Sequence, residues 1–254
     1  MSTATALWNL LAAAVVGLAY FAGITFVFGL LWRLWGYLRA PTPLPVVVTP
    51  APTSDLGAAG RVAKDVLFFP ALFKADKALW AGALLMHAAL FLILVRHLRY
   101  FTYPVPGISL FLSSAALWTG YLFGAALLFL LWRRLALPRA LYISGVPDYF
   151  ALILLGLIAA SGILVKYWLR VDLVEVKAFT LGLLMLRPVA PPQHALFLVH
   201  FVLVSLLLIY FPFSKLLHAG GVFFSPTRNQ PYEIQRLPRT KRIQTNGTNK
   251  LSSS

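Results

Sequence analysis

The sequence predicts an all-α integral membrane protein that crosses the bilayer with five helices. Of its 254 residues, 60% are hydrophobic and only 11% are charged, whereas soluble domains are about 25% charged. The mean hydropathy is +0.80. Five apolar runs are each near the length of about 20 residues that spans a bilayer core. Positive charge is spread unevenly over the segments between these runs, as expected for a membrane protein with a fixed orientation.

The five predicted spans account for most of the chain. They are residues 7–32, 78–95, 109–132, 148–166 and 194–217. The first run follows MSTATA, which has no basic residue, and it is longer than the apolar part of a signal peptide, so a retained helix is expected. Residues 1–220 are therefore predicted to form a single membrane domain.

The segments outside the spans differ in character. Residues 40–57 are rich in proline and are predicted to form an extended inner loop. The stretch that follows, GRVAKDVLFFPALFKADK, mixes charges with apolar residues and is expected to lie along the membrane surface. Residues 221–254 form a polar, basic tail that is predicted to lack structure of its own and to lie in the cytoplasm.

The distribution of Lys and Arg predicts the orientation. With the N-terminus outside, sixteen of the 22 basic residues fall on the inner side. The six on the outer side are Arg96, Arg99, Lys166, Arg170, Lys177 and Arg187. Since cytoplasmic loops carry the excess of positive charge, the predicted topology is N-out and C-in. The net charge of +15 is accordingly interpreted as a topology and lipid-surface signal, with no nucleic-acid partner.

Four histidines lie within or at the ends of the second and fifth spans. They are His87, His97, His200 and His218. An imidazole in hydrocarbon is costly, so ionisable residues in membrane spans favour a functional interpretation, and neutral imidazole is a common axial ligand of haem iron. Spacings of ten and eighteen residues correspond to about 15 and 27 Å along a helix. Two antiparallel helices with this spacing could hold two b-type haems, one near each face.

Antiparallel geometry pairs His97 with His200 at the outer face and His87 with His218 at the inner face. His194, six residues before His200, is an alternative ligand, but pairing it with His218 would require about 36 Å. Histidines that only join helices or relay protons remain the alternative interpretation. The sequence contains no cysteine, which excludes an intrinsic iron–sulfur cluster and a thioether-attached haem.

Basic and small residues lie near these histidines in the sequence. Arg96 and Arg99 are candidates for contacts with the outer haem propionates or with a quinone, because they run against the positive-inside rule. Candidates at the inner face, where topology alone explains basic residues equally well, are Lys74, Lys215 and Arg228. The small residues of the fourth span, Gly156, Ala159, Ala160 and Gly162, are interpreted as helix-packing positions, with close access for a haem or quinone ring as the alternative.

The segment FPFSKLLHAGGVFFSPTRN, followed by PYEIQR, resembles the C-terminal part of the membrane cytochrome b subunits of the nitrate reductase gamma family. The similarity extends to the histidine spacings and to PDYFALILLGLIAASG in the fourth span. Within the family, LFKADKALW and PFSKLLHAGGVFFSPTRN look most like the DsrM-type subunit of the transmembrane complex associated with dissimilatory sulfite reductase.

The resemblance implies a dihaem b protein with a four-helix core in a bacterial or archaeal cytoplasmic membrane. It further implies electron exchange between the quinone pool and a cytoplasmic iron–sulfur subunit within a larger oxidoreductase complex, with sulfur metabolism as the expected pathway. No catalytic residue is predicted in this chain. The family's four ligand positions match His87, His97, His200 and His218. A quinone site is expected among Arg96, His97, Arg99, Tyr100, Lys166 and Tyr167. The alternatives are a respiratory nitrate reductase subunit and, in a different class, a haem-free transporter or membrane scaffold.

Overall fold

The computed structural model describes residues 2–40, 51–112 and 118–224 and is all-α over those residues, with no strand among them. This confirms the predicted all-helical class. The described α-helices are, in chain order, α1 (Thr3–Arg39), α2 (Asp55–Phe68), α3 (Pro70–Ala75), α4 (Lys77–Phe101), α5 (Gly107–Phe111), α6 (Thr119–Ala136), α7 (Pro138–Tyr142), α8 (Val146–Tyr167), α9 (Leu173–Leu184), α10 (Ala195–Tyr210) and α11 (His218–Phe224). Two short 3-10 turns, Phe211–Phe213 and Lys215–Leu217, connect α10 to α11.

Four of the described helical segments are long and apolar enough to cross a membrane. They are α1, α4, α8 and the stretch Ala195–Phe213, which joins α10 to the following 3-10 turn. The predicted third span, residues 109–132, includes residues 113–117, which lie outside the described part of the chain. Its described portions belong to α5 and to α6, and α6 ends with Arg133 and Arg134 in its last turn. The fifth crossing and the orientation therefore stay predictions.

Two boundaries differ from the predicted ones. Helix α1 has 37 residues, about 55 Å of helix, because no proline interrupts the sequence before position 41. The predicted loop 40–57 ends earlier than expected, because the Ser54 side chain accepts a hydrogen bond from the Gly57 N–H at 3.1 Å and so caps the N-terminus of α2. The remainder of that loop, residues 41–50, lies outside the described residues.

The chain divides into two compact units, the first made of residues 1–29 and 76–215. In this unit α4 packs against α6, α6 against α8, and α8 against α10. The Asp76 carboxylate before α4 pairs with Arg133 at the end of α6, so these two helices run antiparallel. At the start of α8, Asp148 contacts Arg134 at 3.4 Å and Lys215 at 3.0 Å. The start of α8 and the ends of α6 and α10 therefore lie at the same end of the unit.

Helix α9 lies in what the sequence suggested was an outer connection. It begins where the Asp172 carboxylate accepts the Val174 N–H at 2.7 Å, and it ends in a turn in which Leu186 adopts φ 57°. Gly182 is required in this turn, because an added Cβ would lie 2.8 Å from the Arg187 carbonyl oxygen. The Phe179 side chain is fully buried in a cluster with Val15, Val176 and Phe197. Helix α9 therefore completes the apolar core at this end of the unit.

The second unit contains residues 30–75 and 216–254. Within it α2 packs against α11, burying Ala58 and Val62 of α2. The ring of Tyr37 stacks on that of Phe224 at a centroid distance of 5.8 Å. Since α11 continues to Phe224, the predicted unstructured tail begins later than Gly220. Residues 225–254 of that tail lie outside the described residues.

Candidate functional site

Two of the four candidate histidines, His87 and His97, lie half-buried on α4. Each imidazole is tied to its own helix: Nδ1 of His87 lies 2.7 Å from the Ala83 carbonyl oxygen, and Nδ1 of His97 lies 2.7 Å from that of Ile93. A carbonyl oxygen can only accept, so Nδ1 carries the hydrogen in both rings. In the neutral imidazole the lone pair is then on Nε2, which is the form that binds a metal.

His200 is held differently, by a side chain of the neighbouring helix. Its Nδ1 lies 2.9 Å from Oγ of Ser161 on α8, while the Ser161 hydroxyl donates to the Ile158 carbonyl oxygen at 3.1 Å. The hydroxyl hydrogen is therefore used, so Oγ accepts from the His200 Nδ1–H. The lone pair again falls on Nε2.

The structure brings His97 and His200 near one another. The two imidazoles are close enough to interact electrostatically. Among the described residues, α4 does not pack closely along α10. The helices pack in the order α4, α6, α8 and α10. His97 lies one turn from the end of α4 and His200 in the second turn of α10, so both are at the same end of the first unit.

The donor set fits a haem better than a metal ion held by protein ligands alone. Within the described ranges, no group of three or more His, Cys, Asp or Glu side chains could hold a metal ion. A haem iron takes only two axial ligands from the protein. His97 and His200, each with its lone pair on Nε2, are a chemically suitable pair for that role.

The other two histidines are His218, the predicted inner ligand, and His194, the alternative ligand. His218 belongs to the second unit, where it begins α11 and is exposed, so the inner pair of His87 with His218 stays a prediction. His194, the alternative ligand, is the N-cap of α10, because its Nδ1 accepts the Phe197 N–H at 3.3 Å. In neutral His194 the hydrogen is thus on Nε2, which leaves that nitrogen without a lone pair for iron.

An apolar groove of about 410 Å³ opens between the end of α4 and α9. It is lined by Arg99, Tyr100, Tyr103, Val105, Leu173, Val174, Lys177, Ala178 and Leu181. The Tyr100 ring is also in edge contact with the His97 ring, at a centroid distance of 5.7 Å. Tyr100 therefore both lines the groove and contacts the predicted outer ligand.

Two cations border this groove. The Lys177 ammonium lies 4.9 Å from the centre of the Tyr103 ring, and the Arg99 guanidinium lies 5.9 Å from that of Tyr100. Arg99 and Tyr100 were among the predicted quinone-site residues, whereas the residues that α9 contributes were not predicted. Asp172, a favourable N-cap before an apolar run, was the signal that could have identified that helix.

The remaining predicted quinone-site residues form a second group beside His97. Arg96 is close enough to both His97 and Lys166 to interact electrostatically. The Lys166 ammonium donates to the Tyr167 hydroxyl at 2.7 Å. The Tyr167 ring lies 5.0 Å from that of Tyr121 on α6. The end of α4, the start of α6 and the end of α8 thus contribute a polar, aromatic cluster next to the predicted outer ligand.

Acidic residues at the opposite end of the unit are engaged with backbone and cations. The Leu79 N–H, bonded to the Asp76 carboxylate at 2.8 Å, lowers the pKa of Asp76, and Arg133 lowers it further. Lys215 pairs with Asp148, so its ammonium is already engaged by a carboxylate. Of the other inner propionate candidates, Lys74 lies at the end of α3 in the second unit and Arg228 lies outside the described residues.

Comparison with known proteins gives a match to one family model and relatives from two archaea. The family model described as nitrate reductase gamma subunit matches residues 71–236. A protein of Archaeoglobus fulgidus described as an "Hdr-like menaquinol oxidoreductase cytochrome b-like subunit" is 36% identical over 257 residues, which cover 84% of this chain and 77% of the relative. A protein of Archaeoglobus profundus with the same description is 32% identical over 265 residues, covering 86% of this chain and 79% of the relative.

Proposed function

Because the chain belongs to the nitrate reductase gamma subunit family, we propose that it is the dihaem cytochrome b subunit of a membrane oxidoreductase complex. It carries electrons between the quinone pool and a cytoplasmic iron–sulfur partner. The observation that carries the proposal is the common state of three histidines in apolar helices. His87, His97 and His200 each engage Nδ1 with an acceptor and keep the lone pair on Nε2.

Two non-covalent b haems are assigned to the chain, since it has four candidate ligands and no cysteine. His97 and His200 would hold the outer haem, and the pairing of His87 with His218 at the inner haem remains a prediction from the sequence. When bound, each haem supplies a one-electron redox centre. The protein holds the imidazoles of His87, His97 and His200 in fixed orientations within apolar helices.

The outer end of the first unit is the proposed quinone site. The apolar groove suits an isoprenoid chain, and Arg99, Tyr100 and Lys177 at its border suit a quinone oxygen. The contact between the Tyr100 and His97 rings joins the groove to the outer ligand. Lys166 and Tyr167, near Arg96, provide further hydrogen-bonding groups at this end of the unit. The descriptions of the two archaeal relatives support menaquinol as the electron donor or product.

The proposed partner is an iron–sulfur protein at the inner face. The chain has no cysteine for a cluster of its own, and a haem near that face needs a donor or an acceptor. Docking is assigned to residues 40–77 and to the basic tail. Sulfur metabolism is the proposed pathway, on the resemblance to the DsrM-type subunit, and a respiratory nitrate reductase is the alternative.

A reduced-minus-oxidised optical spectrum of the purified chain tests the class of the protein. We expect the bands of bis-histidine b haems at two haems per chain, and acid–acetone should extract all of the haem. A protein that binds no haem when produced with a haem supply would instead support the transporter or scaffold alternative. Haem retained on the denatured polypeptide would contradict non-covalent binding.

A quinone-analogue titration tests the quinone site. Binding should perturb the spectrum or potential of the haem that is lost in His97→Ala, and Tyr100→Leu should weaken this binding. Tyr142→Leu is a matched control, because Tyr142 is 92% exposed and belongs to α7 at the other end of α6. An effect confined to the other haem would move the site to the inner face.

Truncation tests the partner surface. A chain ending before Asn229 should still bind both haems but should lose its iron–sulfur partner during affinity purification from native membranes. Unchanged recovery of the partner would remove the tail from the interface. Recovery of no such partner with the intact chain would defeat the electron-conduit role.

A further inference from the structure

His200 differs from the other two described span histidines in how its ring is oriented. His87 and His97 are each bonded to a carbonyl oxygen of their own helix, four residues earlier. His200 is bonded to the Ser161 hydroxyl of α8, a neighbouring helix. Its orientation therefore depends on how α8 packs against α10.

Ser161 and Gly162, adjacent residues of α8, both contact this imidazole, and the Ile158 carbonyl of the same helix also lies near it. Ser161 is only 5% exposed and provides the hydrogen-bond acceptor. Gly162 provides the space: a Cβ added there would lie 3.1 Å from Cε1 of His200 and 3.6 Å from its Nδ1. A Cβ added at Gly156, on the same helix, would meet no heavy atom within 4 Å. The close approach is thus particular to Gly162.

We propose that Ser161 and Gly162 are positioning residues for the His200 imidazole, and that they set the ligand strength and ring orientation at the outer haem. The inference rests on the proposed function, because it takes His200 as an axial ligand. It concerns only how the protein presents that ligand. The inference does not require any contact between α8 and the haem.

The physical basis is the coupling between the two ring nitrogens. An acceptor at Nδ1–H fixes the tautomer and makes Nε2 a stronger donor. A stronger donor favours ferric over ferrous iron, so it lowers the reduction potential. The Ser161 hydroxyl is itself polarised by its bond to the Ile158 carbonyl, and such chains of hydrogen bonds reinforce one another.

Three variants separate the two contributions. Ser161→Ala removes the acceptor with little change in volume, and Ser161→Thr keeps a hydroxyl. Gly162→Ala keeps the acceptor but crowds the ring edge. The matched controls are Gly156→Ala on the same helix and Ser205→Ala, since Ser205 is a buried serine of α10 whose hydroxyl donates to the Phe201 carbonyl of its own helix.

The readouts are potentiometric titration and low-temperature electron paramagnetic resonance of the purified chain. We expect Ser161→Ala to shift the midpoint potential of the His97/His200 haem to a more positive value. Ser161→Thr should remain near the unaltered protein. Gly162→Ala should change the low-spin ferric signal of that haem or lower its occupancy. Both controls should leave the potential and the signal in place.

The second haem serves as the internal folding control. A variant that keeps the other haem at full occupancy with an unshifted potential has folded, so an unchanged outer haem in both folded Ser161→Ala and folded Gly162→Ala would overturn the inference. A shift confined to the other haem would overturn it as well. If the unaltered chain bound no haem, the proposed function itself would fail, which is a distinguishable result.

Discussion

Gly82 gives the sharpest test of the packing between α4 and α6. A Cβ added at Gly82 would lie 2.6 Å from both Cδ1 and Cε1 of Phe129 and 3.4 Å from a methyl carbon of Leu130. Carbon atoms pack best at about 3.5–4.0 Å, so the Gly82→Ala side chain requires a displacement of about 1 Å. The Phe129 ring is itself packed near Trp132, at a centroid distance of 6.2 Å.

Two opposing terms give the expected magnitude. Overpacking of this kind costs about 1–3 kcal/mol. Replacing a helical glycine with alanine recovers about 1 kcal/mol through backbone entropy. Gly82→Ala should therefore lower the free energy of unfolding by about 0–2 kcal/mol. Gly23→Ala in α1, where an added Cβ meets no heavy atom within 4 Å, should raise it by about 1 kcal/mol.

Thermal unfolding of the detergent-purified variants, with haem release as the readout, would measure the difference in stability between Gly82→Ala and Gly23→Ala. We expect the two haems to respond unequally, because Gly82 is adjacent to Ala83, whose carbonyl oxygen orients His87. Phe129→Leu should create space, so the double variant with Gly82→Ala should lose less stability than the two single changes add up to. Equal stability of Gly82→Ala and Gly23→Ala would refute the described contact between α4 and α6.

Two further predictions concern the ligands and the ion pair at the start of α4. His97→Ala and His200→Ala should each lose the same haem, and His87→Ala and His218→Ala should each lose the other haem. Haem content and optical spectra of the variants would show which haem is lost. Loss of the same haem in His87→Ala and His200→Ala would contradict the antiparallel pairing. Asp76 has a lowered pKa, so its charge stabilises the fold above the unfolded value of about 3.9, and this stabilisation is lost as pH falls through the lower, folded value. Asp76→Asn should therefore be less stable than the unaltered chain at neutral pH, and unfolding curves should converge on acidification; a constant gap down to the acid limit would contradict the role of the charge.

Hydropathy was sufficient to predict the apolar helices, because membrane crossing depends on the length and composition of one segment at a time. Helix α8 begins at Val146 and ends at Tyr167, each within two residues of the predicted span. The 3-10 turns after Tyr210 were beyond such a prediction. Pro212 has no N–H to donate. It also packs against Gly29, a residue far away in the sequence, since a Cβ at Gly29 would lie 2.8 Å from Cβ of Pro212.

Helix α9 was missed because the same criterion does not apply to it. It has twelve residues, too few to cross a bilayer, and Asp172, Glu175, Lys177 and Arg187 gave its sequence the look of an outer loop. Its stability comes from tertiary contacts: Phe179 packs against Phe201 at a centroid distance of 5.3 Å. The Thr180 hydroxyl also donates to the Tyr100 carbonyl oxygen at 2.5 Å.

The candidate site was partly predictable for a related reason. Histidines stand out in an apolar span because their burial is costly, whereas Ser161 and Gly162 are ordinary residues in such a helix. A serine there usually bonds to its own backbone, as Ser205 does. Only the packing of α8 against α10 identifies Ser161 as the partner of His200. The interpretation of Gly162 as a packing position agrees with the structure, but the group it accommodates is the candidate ligand.

Ion pairs within the first unit reduce the positive charge that the helix ends offer to a partner at the predicted inner face. The positive-inside rule counts cations, but Arg133, Arg134 and Lys215 are each paired with a carboxylate of the same unit. Those carboxylates stand at the starts of α4 and α8, where a helix dipole favours negative charge, so the pairs contribute to helix packing and offer less charge to an acidic surface. The tail contributes six further cations, which are Arg228, Arg236, Arg239, Lys241, Arg242 and Lys250. An acidic iron–sulfur partner would thus depend more on the tail than on the helix ends, so raising the salt concentration should release the partner from the intact chain, and a complex that withstands high salt would contradict this electrostatic contribution.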